Sequence, residues 1–335
     1  MEVKIKRILC LACILVMCFS LVSCSDSPAD VLFVYNGQLD DGYLNQDAFV
    51  SLGKSCSSYG FHLKTMRFDN ALNPEIGLTN ILATDPGLVI FCGAEFENTA
   101  LAFSRNYPLN NFVIIGANGD GDLDGVQDVQ NLYSVMFERQ EAGFFSGLYA
   151  ASLAPEAVCF VGKDEYLSYI EYEAGFIAGI KSIDQRINIS KYYRKSEKDD
   201  AVATAALREA CKGAQVIYTI DDADYIYNLA SQLGIPVIGA VWDSRGGHDD
   251  GMIFCVKEDI GKAMTIMMDD YYNGRMKGMI RRFGCAEDVF SIIAKENGPD
   301  IEKTIELWKS MIINRIITVP STRTEAARYT SPLNY

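Results

Sequence analysis

Short apolar runs, each followed by a stretch of helical spacing, recur along nearly the whole chain, and this alternation leaves few folds open. Residues 31–35 (VLFVY), 87–93 (GLVIFCG) and 112–116 (FVIIG) are too short for buried helices and rich in β-branched and aromatic side chains, as strands covered on both faces are. Strands are expected at 31–35, 60–68, 87–93, 112–116 and 132–137, with helices through Leu44, Phe49 and Leu52 and over 73–83, 95–106 and 138–153. Asp40 or Asp41 can cap the first of these helices, and Gly143 and Gly147 permit close packing of the last. The second half repeats the pattern. Strands are expected at 157–162, 187–193, 215–220, 236–241 and 252–256, with helices at 167–182, 200–211, 223–233 and 257–272. A strand at 315–319 is expected to end the ordered chain, before a loose tail.

Two such series predict an α/β protein of two lobes with parallel sheets, since a chain of roughly 300 residues outgrows a single core. Lobes of this kind exchange segments. Residues 31–137 and 257–290 are expected in one lobe, and 138–256 and 291–320 in the other, leaving 321–335 as a tail. In parallel sheets ligands sit beyond the carboxyl ends of the strands, so a pocket should include residues 35–46.

The N-terminus reads as a leader rather than as part of the fold. Lys4, Lys6 and Arg7 precede an apolar stretch over 8–22 that is short for a bilayer span, and Leu21-Val22-Ser23-Cys24 closes it. A cysteine after a small residue at that point is a lipobox, which predicts cleavage after residue 23, acylation of Cys24 and a tether over 24–30; an ordinary signal peptide with a coincidental cysteine is the plainer alternative. Several acyl chains on one cysteine would hold the exported protein to the membrane without spanning it. The formal net charge of −14 argues against nucleic acid or an anionic lipid surface as main partner.

Signs of catalysis are sparse. His62 falls in an expected strand, where packing is its ordinary role, and His248 in a glycine-rich turn; no phosphate-cradling loop, metalloprotease helix or nucleophile elbow is present. The paired acids Asp40/Asp41 and Asp221/Asp222 read as turn and cap residues, so neither an enzyme nor a cofactor is expected. Cys56, Cys92, Cys159, Cys211, Cys255 and Cys285 are scattered without a close pair, which suits buried thiols, although an exported chain can also form long-range bridges. Asp120, Asp122, Asp124 and Asp128 match carboxylate positions of a calcium loop. Asn131 stands where the bidentate acid belongs, however, and a solvated acidic turn is the competing reading. The strand ends collect aromatic and polar groups, namely Tyr35 and Asn36, Gly93 and Glu95, Gly116 and Asn118, Tyr218 and Asp221, and Trp242 and Asp243, a mixture suited to stacking a flat or sugar-like solute.

Several motifs resemble the basic membrane protein family of lipoprotein solute receptors, which includes bacterial purine nucleoside receptors. Asp40-Asp41-Gly42-Tyr43-Leu44-Asn45-Gln46 resembles that family's DD-x-S-F-N-Q loop, FERQEAGFFSG over 137–147 its F-x-x-x-E-G-x-x-x-G helix start, and YEAGFIAG over 172–179 its F-E-A-G-F-x-A-G. Residues 236–239, Val256-Lys257 and 316–320 carry weaker marks. The resemblance implies a periplasmic-binding-protein-like type I fold, two Rossmann-like lobes joined by a multi-crossing hinge, with an ATP-driven ABC permease as partner. It also implies a ligand site drawn from Tyr35, Asn36, Asp41, Tyr43, Asn45, Gly93, Gly116, Tyr218, Asp221, Trp242, Asp243 and Lys257.

The chain departs from the nucleoside-binding pattern. Tyr35 or Asn36 stands where the family has an aspartate, Leu44 replaces a stacking Phe, Gly116 and Val241 replace two more aspartates, and Asp221-Asp222-Ala223-Asp224 replaces a Gly-Gly-Thr loop. A nucleoside's hydroxyls would lose charge-assisted partners, each worth about 1.5–3 kcal/mol. The expected function is capture of a small solute for an ABC importer, with a surface or sensory lipoprotein that has lost nucleoside binding as the alternative.

Overall fold

In the computed structural model the described residues are 30–68, 82, 86–121, 125–163, 167–194, 200–221, 223–239, 251–295 and 298–333. The first apolar runs become β1 (Asp30–Asn36), β2 (His62–Phe68), β3 (Leu88–Cys92), β4 (Asn111–Ile115) and β5 (Leu132–Phe137), with α1 (Leu44–Tyr59) after β1 and α2 (Glu97–Asn106) after β3. They pair in parallel in the order β2-β1-β3-β4-β5, and β11 (Met279–Phe283), from far along the chain, adds a sixth parallel strand beside β5. β3 and β5 are buried along their full lengths, which is why they read as continuous apolar runs rather than alternating ones.

The second sheet repeats the plan. It orders β7 (Asn188–Tyr193), β6 (Ala157–Gly162), β8 (Val216–Thr219), β9 (Val237–Gly239) and β10 (Met252–Glu258), and β12 (Phe290–Ala294) adds an antiparallel edge beside β10. Its helices include α3 (Arg139–Leu153), α4 (Leu167–Ile183), α5 (Asp200–Ala210) and α6 (Asp224–Leu233). This is the two-lobed, doubly wound architecture expected from the alternation. In each sheet the strand order reverses next to the first strand, which leaves a crevice there.

α3 and α4 touch backbone to backbone. A Cβ at Gly143 or Gly147 of α3 would collide with the carbonyls of Tyr172 or Phe176, and one at Gly175 or Gly179 of α4 with those of Gln140 or Phe144. The close approach foreseen for Gly143 and Gly147 is therefore matched by a glycine pair on the partner helix.

The chain crosses between sheets three times: after β5 into α3, after β10 into α7 (Ile260–Tyr272), and from β11 to β12. Ile260, Met264, Met267 and Met268 of α7 pack with the first sheet's core. Backbone hydrogen bonds tie the crossings together, with Glu138 N donating to Phe283 O at 2.8 Å and Asp259 N to Val289 O at 2.7 Å.

Three expectations change, two of them near the C-terminus. Residues 315–319 form no strand: after α8 (Glu302–Ile313) the chain turns at Arg315, φ +55°, and buries Ile317 and Val319 against the second lobe without a ladder. The reason is that β12 already occupies the edge beside β10. The tail is not loose either, because residues 323–328 form α9 (Arg323–Arg328), capped reciprocally by Thr322 and Glu325. Arg323 reaches the buried Glu173 at 2.7 Å, and Lys181 Nζ donates to Ala326 O at 2.8 Å. His62 lies on the edge strand β2 and is exposed rather than packed. The helix expected at 73–83, apart from the buried Leu82, lies outside the described residues, as do Trp242, Asp243 and His248. All six cysteines of the described chain are buried and unbridged.

Candidate functional site

Beyond the carboxyl ends of β3 and β4 lies a cavity of about 670 Å³. Its first-lobe wall comprises Leu44 at the start of α1, Ala94, Glu97 and Asn98 after β3, the loop 116–121 after β4, and Met136; Arg139 and Glu171 face them from α3 and α4. Position follows from topology, since these loops flank the point where the strand order reverses. The loop turns at Gly116 and Gly119, whose φ values of +89° and +60° suit glycine. It is then pinned by Ser134 Oγ, which donates to Asn118 O at 2.7 Å, and by Gly119 N, which donates to Glu97 Oε1 at 3.1 Å.

Two buried carboxylates on this cavity each keep an oxygen without a hydrogen-bond partner. Asp120, 4% exposed, accepts from Gly125 N at 2.8 Å through Oδ2, and its Oδ1 is unpaired. Glu171, 3% exposed, accepts from Arg282 at 3.3 Å through Oε1, and its Oε2 is unpaired. Burial pushes the Glu171 carboxyl above its ordinary range, with Arg282 and Arg139 pulling against it.

Next to the cavity a third buried carboxylate is fully engaged. Glu258, at the end of β10, accepts from Arg139 Nε at 2.9 Å and from Tyr172 Oη at 2.8 Å, and Tyr43 Oη lies 3.5 Å away. Burial, and after it the charge of Glu258, drives both tyrosine hydroxyls far above their ordinary range, so both stay protonated as donors. Burial alone would lower the Arg139 pKa, but Glu258 outweighs it and keeps the guanidinium charged.

The anticipated site residues disperse over this region. Gly116 lines the main cavity, whereas Lys257 lines a neighbouring one of about 540 Å³ with Gln46, Ser51 and Asp259, and pairs with Asp47 at 2.9 Å. Leu44 and Gln46, at the start of α1, thus divide between the two cavities. Asp41 is the helix cap, accepting from the backbone N–H groups of Tyr43, Asn45 and Gln46. Asn45 is buried and donates to Asn36 O and Gln38 O, and Asn36 accepts from Gly37 N. Tyr35 stacks on Phe33 at 5.8 Å, and Gly93, φ +121°, is the turn that leads from β3 into residues 94–96. Tyr218 is fully buried in the second lobe, stacked on Phe176 at 4.4 Å. Asp221 is bound by Arg194, whose Nη2 donates to Oδ1 at 3.0 Å.

Of the four calcium candidates, Asp122 and Asp124 lie outside the described residues, while Asp128 accepts from Arg105 at 3.0 Å. Among the described residues no three metal-capable side chains converge. Glu97, Arg139, Glu171, Glu258 and Arg282 escaped sequence reasoning. The available signal was Glu171 itself, an acid inside the otherwise apolar start of α4 and directly before the YEAGF motif.

The family described as "ABC transporter substrate-binding protein PnrA-like" matches residues 29–323 of this chain. Basic membrane protein A of Borreliella burgdorferi is 24% identical over 313 residues, covering 88% of each chain. Transcriptional activator protein med of Bacillus subtilis is 25% identical over 190 residues, 56% of each, and the ABC transporter nucleoside-binding protein BmpA of Lactococcus lactis 21% over 256 residues, 70% of this chain and 71% of its own. Among solved structures, an ABC transporter solute-binding protein from Conexibacter woesei superposes with a TM-score of 0.68 at 18% identity, over 88% of this chain and 99% of its own. Among the described residues no helix is long and apolar enough to cross a membrane.

Proposed function

The chain belongs to the family of PnrA-like ABC transporter substrate-binding proteins, and from that premise we propose that it is a membrane-tethered receptor that closes its two lobes on a small polar solute and delivers it to an ABC permease. The observation that carries this reading is the 670 Å³ cavity, to which the loop 116–121 of one lobe and Glu171 of the other both contribute. A solute touching both walls would favour their approach. The grouping of strands supports a division into residues 31–137 with 259–289 and 138–258 with 290–320, shifted slightly from the expected bounds because β10 runs on to Glu258 and β12 starts at Phe290, and the lipobox at Cys24 supports anchoring by acyl chains on the outer face of the membrane.

The ligand site we assign centres on Glu97, Gly116, Asn118, Asp120, Arg139 and Glu171, with Lys257 and Tyr43 acting at the lobe boundary. A thermal-shift screen of nucleosides, sugars, amino acids and organic amines, paired with mass spectrometry of small molecules carried through purification, tests the reading. A bound solute at a hundred times its Kd adds about 2.7 kcal/mol of stability. A flat screen with nothing co-purified would reject it. Labelling with a palmitate analogue should mark the wild-type protein and fail on Cys24→Ala.

A second reading, a sensory or surface lipoprotein without a transport role, is supported by the relative named as a transcriptional activator. Unchanged solute uptake in a deletion strain, with binding intact in the purified protein, would favour it.

A further inference from the structure

We propose that the solute carries a protonated amine, which bridges Asp120 of the first lobe and Glu171 of the second. The inference rests on the solute-receptor reading and narrows its ligand class. Both carboxylates line the same cavity, both are more than nine-tenths buried, and each presents an oxygen with no hydrogen-bond partner.

Charge decides between a cation and a neutral donor. Among the described residues Glu97, Asp120 and Glu171 line the cavity with one cation, Arg139, and Arg139 is matched by Glu258. Arg282 adds one contact to Glu171, at 3.3 Å, which leaves the cluster with an excess of negative charge. A neutral polyol could hydrogen-bond to the free oxygens, but it would bring no charge to carboxylates already shielded from solvent, and an uncompensated buried charge is the costlier state. An ammonium group supplies N–H donors and the missing charge together. The apolar side chains of Leu44, Leu101 and Met136 on the same cavity leave room for a hydrocarbon body behind the amine.

The test compares matched pairs on the purified protein: phenethylamine against 2-phenylethanol, and putrescine against 1,4-butanediol, by calorimetric titration and thermal shift. The amines are expected to bind and raise Tm, and the alcohols not to. Asp120→Asn and Glu171→Gln should each weaken amine binding by roughly thirtyfold or more, the scale for losing one partner of a buried charge pair, while Glu209→Gln, exposed on α5, should leave it unchanged. If either variant fails to fold, the amine-versus-alcohol comparison on the wild type stands alone. Equal binding of amine and alcohol, no response to any amine, or tight binding of a neutral nucleoside that is insensitive to both substitutions would overturn the inference. The last outcome would leave the solute-receptor reading intact; silence from every solute would remove both.

Discussion

Glu258 sits at the end of β10 with the Arg139 guanidinium and the Tyr172 hydroxyl on one carboxylate oxygen and Tyr43 near the other, and its side chain is 2% exposed. A buried pair of this kind contributes little net stability as a pair, yet removing one member strands the other in a medium that solvates charge poorly. Glu258→Ala is therefore expected to cost about 3–5 kcal/mol and Tyr172→Phe about 1.5–3 kcal/mol in urea unfolding. A loss below about 1 kcal/mol for Glu258→Ala would show that water reaches Arg139 and sustains it. Glu258 was not legible in the sequence, because nothing local marks a carboxylate whose partners lie 86, 119 and 215 positions away. By contrast Asp41 was legible, since a cap acts on its own helix within five residues.

At the scale of elements, the α3–α4 contact depends on four glycines at four-residue spacing, with no room for a β-carbon between the backbones. Gly175→Ala should force the helices apart and cost about 1–3 kcal/mol, with Gly175→Val costing more. Equal unfolding midpoints for wild type and the alanine variant would mean that the interface yields freely. One half of this contact could be read from the spacing of Gly143 and Gly147, and the buried strands from their unbroken apolar runs. That 315–319 forms no strand could not be read from the sequence, because apolar content specifies burial and not a ladder partner, and β12 takes the edge. α9 was hidden by a Ser- and Thr-rich composition, although its Thr322/Glu325 capping pair is a local signal of a helix start.

For the whole molecule, opposed groups set the pH dependence of stability. Asp184 and Asp288 are lowered to about 2, the first by hydrogen bonds from Arg186 and the second by hydrogen bonds from Lys262 and then Lys309, so what they contribute is present above the ordinary aspartate range and lost as pH falls toward 2. Both are solvent-facing and count for little. Glu141 and Glu171 are raised by burial, so the folded chain holds their protons longer than the unfolded one, and stability declines as pH rises from the ordinary glutamate value through the raised ones. Tm of the ligand-free protein should therefore peak on the acid side of neutrality. Glu171→Gln should flatten the decline toward pH 7, and a Tm profile parallel to wild type would count against an ionised, unpaired Glu171.

The three crossings between the sheets lie side by side and are stitched by the bonds Glu138 N to Phe283 O and Asp259 N to Val289 O. They act as the spine of a book, in which no single thread can twist without tearing stitches in its neighbours. A protease that severed the 284–289 thread would leave two others intact. The nicked protein should then travel as one particle, its two halves still bound through the uncut threads.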